Sequence, residues 1–180
     1  MPLEKMKKPK TEILIFGRRL HNALRKSIED GDGRTDDDRT KTERPIYEHY
    51  SCGLYLTGTF SFIEGKLGTR SWHKPGKNHA DFNSFLLSLK GEHKTNPMVS
   101  GVSEEGLDAL VCIRNAITHN NNDLTKNNDT TCLSKVTNAK IPGVTVVQGI
   151  VTLTSNNTVD CMEYMRRSFI AVTMYHDYLM

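Results

Sequence analysis

The sequence predicts a mostly α fold, a helical bundle of four to five helices with a small β-hairpin inserted before the last one. Three observations predict it. Apolar residues recur at spacings of three and four along several segments. β-branched residues cluster around one turn signal, Gln148-Gly149. Neither a linker nor an internal repeat divides residues 1–180, so the chain reads as a single domain long enough for a real core.

Ile13, Phe16, Leu20, Leu24 and Ile28 form one face of a first amphipathic helix. It is expected to stop at "DGDGRTDDDRT", and residues 30–43 read as a charged, flexible loop. Asp30 and Asp32 open that loop with calcium-site spacing. The pattern then fails, because the required glycine is missing and Lys41 stands where a bidentate glutamate is needed. A second helix is expected from about Pro45 to Leu67, proline suiting the first turn, with Tyr47, Tyr50, Leu54, Ile63 and Leu67 as its apolar stripe. Gly53 and Gly58 cost helix propensity there and point to close approach of another helix, or to a kink.

The loop "GTRSWHKPGKNH" carries Arg70, Trp72, His73, Lys74, Lys77 and His79. A basic loop with one tryptophan could hold phosphates and stack a base. The plainer expectation, preferred here, is a solvated loop whose tryptophan tucks into the core. A short helix follows with Phe82, Phe85, Leu86 and Leu89 inward and Gly91 as its stop. The next begins near Ser103, an N-cap residue followed by Glu104 and Glu105, with Leu107, Leu110, Val111 and Ile117 apolar. Residues 120–157 read as a polar loop rich in Asn and Thr followed by a hairpin of "VTVV" and "IVTLT". A closing helix over about Thr158–Tyr178 puts Met162, Met165, Phe169 and Val172 on one side.

With 37% hydrophobic residues, a mean hydropathy of −0.50 and a net charge of +3, the chain reads as soluble and globular, without a global basic field. Any basic surface has to be local. The four cysteines, Cys52, Cys112, Cys132 and Cys161, lack metal-site or redox-dithiol spacing, so buried reduced thiols in a cytoplasmic setting are expected. The early apolar run "ILIF" is too short for a signal peptide or a membrane span. Neither a cofactor nor a metal is expected.

The stretch "IRNAITHNNND" holds the candidate site: Arg114, Asn115 and His119 within six residues at a helix end. Arginine stays charged and can fork onto a phosphate. Histidine titrates near neutral pH and can move a proton. Asparagine can hold either the imidazole or a phosphate oxygen. Together they suffice for metal-free RNA cleavage, in which histidine assists attack by a 2′-hydroxyl and arginine stabilises the developing phosphoryl charge. In a regular helix residues five apart lie roughly 140° apart, so Arg114 and His119 converge only through a frayed last turn or across two chains. The plain alternative makes His119 a helix cap and Arg114 half of an ordinary ion pair.

Arginine, asparagine, three residues and histidine on the penultimate helix of an all-helical domain resemble the signature of the HEPN superfamily. The segment "YEHYSCGLYLTGTFSFIEGKLG" is similar to the long core helix of such domains. The resemblance implies a homodimer whose two motifs meet in a cleft, and a metal-independent endoribonuclease of toxin–antitoxin, phage-defence or RNA-processing systems. Such enzymes leave 2′,3′-cyclic phosphate and 5′-hydroxyl ends. Arg114 and His119 would then be catalytic with Asn115 in support, the partners being RNA, a second copy and an antitoxin or other regulatory protein. The resemblance also admits a non-catalytic RNA- or protein-binding module. A structural helical protein with an accidental motif is the third reading, favoured if Arg114 and His119 are apart and covered.

Overall fold

The structure is a computed structural model describing residues 8–32, 38–68, 71–73, 81–92, 98–154 and 160–179. Its helices are α1 (Lys8–Asp32), α2 (Asp38–Leu67), α3 (Phe82–Glu92), α4 (Glu104–His119), α5 (Cys132–Ala139) and α6 (Cys161–Leu179). A hairpin of β1 (Val144–Val147) and β2 (Ile150–Leu153) precedes α6, so the fold is mostly helical with the expected hairpin. None of the helices among the described residues is long and apolar enough to cross a membrane.

The core is built where α2, α4 and α6 meet. Tyr55, Leu56, Phe60 and Ile63 of α2 are buried, as are Leu107, Leu110 and Ile113 of α4 and Met162, Met165, Phe169 and Val172 of α6. The α6 stripe is the one expected. That of α2 is not, because Tyr50 and Leu54 are 66% and 56% exposed. Apolar residues lie on several faces of α2, and its neighbours rather than its periodicity select the buried one. Gly53 and Gly58 face Ile117 of α4 and Leu20 of α1, where an added methyl group would sit 3.4 Å away, an ordinary packing contact that does not require glycine. Helix α2 also begins seven residues before Pro45, which lies inside it, so much of the expected 30–43 loop is helix. Residues 33–37 lie outside the described ones.

Trp72 is buried and donates its indole N–H to Asp108 at 3.1 Å, which places it in the core as expected. His73 lies between two carboxylates, 2.8 Å from Asp108 and 3.4 Å from Glu104, and this latches the turn Ser71–His73 onto α4. Arg70, Lys74, Lys77 and His79 lie outside the described residues. Phe82, Phe85 and Leu86 of α3 are buried, and the helix continues past Gly91 to Glu92.

Two expectations for the region after His119 are corrected. The polar stretch is not an irregular loop, since it forms a short 3-10 turn at Leu124–Lys126 and then α5. Nor are all four thiols reduced: Cys112 and Cys132 form a disulfide that ties α5 to α4, while Cys52 and Cys161 are free and buried. In the hairpin, Gln148 and Gly149 take φ of 50° and 84°, the two positive values of a type I′ turn. A methyl group on Gly149 would come within 2.7 Å of Thr125. Glycine therefore lets the turn lie against the segment that follows α4, where Leu124 N–H donates to Gly149 O at 2.9 Å.

At the α1–α6 seam His21 stacks edge-on to Tyr55, with Nε2 buried, unbonded and 3.8 Å from Glu163. Burial lowers its pKa, with Arg166 and Arg25 adding to the effect and Asn22 and Glu163 opposing it. The unfolded chain, titrating at about 6.5, therefore binds more protons than the fold between that value and the depressed one. Stability is expected to fall as pH drops through this window, and His21→Gln should flatten the fall. Urea unfolding at pH about 7.5 and about 5.5 checks it; an equally steep loss in the variant would remove His21 as the cause.

Candidate functional site

Helix α4 begins with Ser103, whose hydroxyl accepts the Gly106 N–H at 3.0 Å, and Glu104 and Glu105 face the positive end of the dipole. Gly106 is required by its neighbour, because a methyl group there would lie 1.8 Å from the Tyr164 hydroxyl of α6. Burial of Leu107, Leu110, Ile113 and Ala116 then fixes the rotation of the helix, and with it the directions of Arg114, Asn115 and His119.

Arg114 turns toward α2. Its guanidinium forks onto Glu64, with Nη2 3.1 Å from Oε1 and Nη1 3.5 Å from Oε2, and its Cζ stands 5.9 Å from the centroid of Phe60. Both side chains of the pair remain 20% exposed, and Arg114 Nε is buried without a partner. This is a held but not sealed cation. Position and spacing gave no hint of Glu64 or Phe60, because they come from another helix some fifty residues upstream.

His119 is the last residue of α4 and is exposed, with neither a hydrogen bond nor an ion pair among the described residues. The helix stays regular to this point, so the frayed last turn that could have swung His119 toward Arg114 is not found. The two side chains leave the helix roughly 140° apart. Asn115, half-buried, shares a face with His119 one turn away. The three candidates thus separate into an Asn115–His119 pair and an Arg114–Glu64 pair.

The segment after His119 is firmly held. Asn120 and Asn122 both donate backbone N–H groups to Ala116 O at 3.0 Å, and Asn121 and Asn122 are left-handed at φ of 51° and 68°. Asparagine tolerates that conformation better than most residues. Asn122 O accepts the Val151 N–H of β2. The Asn120 side chain donates to Asn127, and Asn127 donates to Cys112 O at 2.9 Å. The hairpin and the disulfide-bound α5 therefore brace the end of α4 from two sides. Asp129 has a carboxylate oxygen within 4.8 Å of the sulfurs of Cys112 and Cys132, but in this state the sulfurs are bonded to each other.

No protein-family model, curated protein or solved structure matches this chain.

Proposed function

We propose that the protein is a metal-independent endoribonuclease of HEPN type whose site lies at the end of α4 and is completed by a second copy of the chain. The observation that carries this reading is the free, exposed imidazole of His119 at a braced helix end, with Asn115 beside it. His119 would accept the proton of a ribose 2′-hydroxyl as that oxygen attacks the adjacent phosphorus. Arg114 would stabilise charge on the non-bridging oxygens, and the 5′-oxygen would leave. The angle between the two side chains means that the arginine meeting a given His119 comes from the other protomer. A role in toxin, defence or RNA-processing systems, and with it a regulatory protein partner and a cytoplasmic setting, belongs to this proposal, although the Cys112–Cys132 disulfide counts against the last, since such bonds are rare in a reducing cytosol.

Purified protein incubated with RNA in excess EDTA is expected to cut it and leave 2′,3′-cyclic phosphate and 5′-hydroxyl ends. Intact RNA after incubation with a folded dimer would overturn the reading. A second reading, a non-catalytic RNA- or protein-binding module, is favoured by the Arg114–Glu64 fork, which occupies the guanidinium. It predicts binding without cleavage.

A further inference from the structure

The net charge of +3 conceals a segregated surface. Residues 13–28 of α1 contain Arg18, Arg19, Arg25 and Lys26 and no acid, so the rest of the chain sums to −1. Of the acids brought to this helix from around the start of α6, Asp160 pairs with Arg25 of α1 itself, and Glu163 takes Arg166 and Arg167 while lying 3.8 Å from His21. Arg18, Arg19 and Lys26 are exposed and have no acidic partner among the described residues. On the helix they fall within about 100° of one another and span about 12 Å along the axis, with exposed Asn22 between them. The face ends where the sequence turns acidic at Glu29, Asp30 and Asp32.

We infer that this face of α1 binds the phosphate backbone of single-stranded RNA, a proposal that rests on the ribonuclease reading. A row of exposed cations without acidic partners among the described residues matches a polyanion in sign and shape, and arginine adds forked hydrogen bonds to phosphate. An anionic membrane fits less well. Such a helix lies in the bilayer surface by its apolar face, and here that face is committed. Leu20 and Leu24 pack on the core, Phe16 stacks on Phe62 at 4.5 Å, and Ile15 is the only large apolar residue left at the surface of the described part of α1.

The test uses full-length protein carrying His119→Ala, so that RNA stays intact, with and without Arg18→Gln, Arg19→Gln and Lys26→Gln together. Anisotropy of a fluorescently labelled single-stranded RNA of mixed sequence gives the affinity between about 50 and 200 mM salt. Loss of three phosphate contacts at about 0.7 each should reduce the log–log salt slope by about 2, with weaker binding throughout. An unchanged slope, no RNA binding at all, or binding only to phosphatidylserine vesicles would each overturn the surface. Cleavage in EDTA, followed separately with His119 intact, keeps the two ideas distinct. Cutting with an unchanged slope sinks the α1 surface alone, whereas a reduced slope without cutting sinks the nuclease and leaves an RNA-binding module.

Discussion

His119→Ala is expected to reduce RNA cleavage by about 10²- to 10⁴-fold, the range spanned by general acid–base catalysis, while leaving the fold intact. The second half of that statement makes the variant informative. The His119 side chain is exposed and makes no hydrogen bond or ion pair among the described residues, so its truncation should change stability by no more than about 0.5 kcal/mol. Arg114→Ala is a poorer probe, because it strands the half-buried Glu64 carboxylate and confuses chemistry with folding. Arg114→Lys keeps the charge opposite Glu64 and gives up the fork. Mixing His119→Ala with Arg114→Lys, expected to be inactive for want of the fork onto phosphate, tests the composite site directly. Half the dimers in an equal mixture are mixed, and each would hold one intact Arg114–His119 pair, so about a quarter of wild-type cleavage should return. Cleavage rates, with unfolding curves for each variant, decide the matter. Unimpaired cutting by His119→Ala would remove the histidine from the chemistry, and failure of the mixture to recover would remove the second chain from the site.

What could be read in the sequence depended on whether a local pattern or a distant neighbour set the outcome. Helix α4 was legible because Ser103, Glu104 and the spacing of Leu107 and Leu110 all point the same way within a few residues. The hairpin was legible because a single dipeptide, Gln148-Gly149, supplies both positive φ values. Helix α5 was not, since only Cys132 and Val136 of "CLSKVTNA" are buried and the α4 cysteine twenty residues away anchors it. Tyr50 and Leu54 were placed on the wrong face because α2 has apolar residues in several directions, and no periodicity chooses among them. At the candidate site, the identities and positions of Arg114, Asn115 and His119 were legible, as was their angular separation in a regular helix. Glu64 was not, because ion pairs between helices leave no spacing to read. The basic face of α1 lay in plain composition, but a whole-chain charge averages it away against the acids elsewhere.

Reduction of the Cys112–Cys132 bond is expected to lower the Tm by about 10 °C. The bond closes a loop with a sequence separation of 20, for which the loss of unfolded-chain entropy stabilises the fold by about 3 kcal/mol. In a domain of this size each kcal/mol shifts the Tm by about 2–4 °C. The loss should be felt first in α5 and in the segment joining it to α4. Among their remaining ties are buried Val136 and Leu124, the amide chain from Asn120 through Asn127 to Cys112 O, and the backbone bonds of Asn122 and Leu124 to the hairpin. Thermal unfolding with and without a dithiol reductant measures the effect, and Cys112→Ser with Cys132→Ser should reproduce it under oxidising conditions. Alkylation of the unfolded, unreduced chain should find two thiols, Cys52 and Cys161. Four thiols and an unchanged Tm would show that the bond does not form. Where it forms, the reduced protein also reveals what the brace behind His119 contributes. A lower Tm with cleavage retained confines the disulfide to stability. A lower Tm with cleavage lost means that the end of α4 needs α5 behind it to present the imidazole, and that the compartment's thiol poise governs the enzyme as well as the fold.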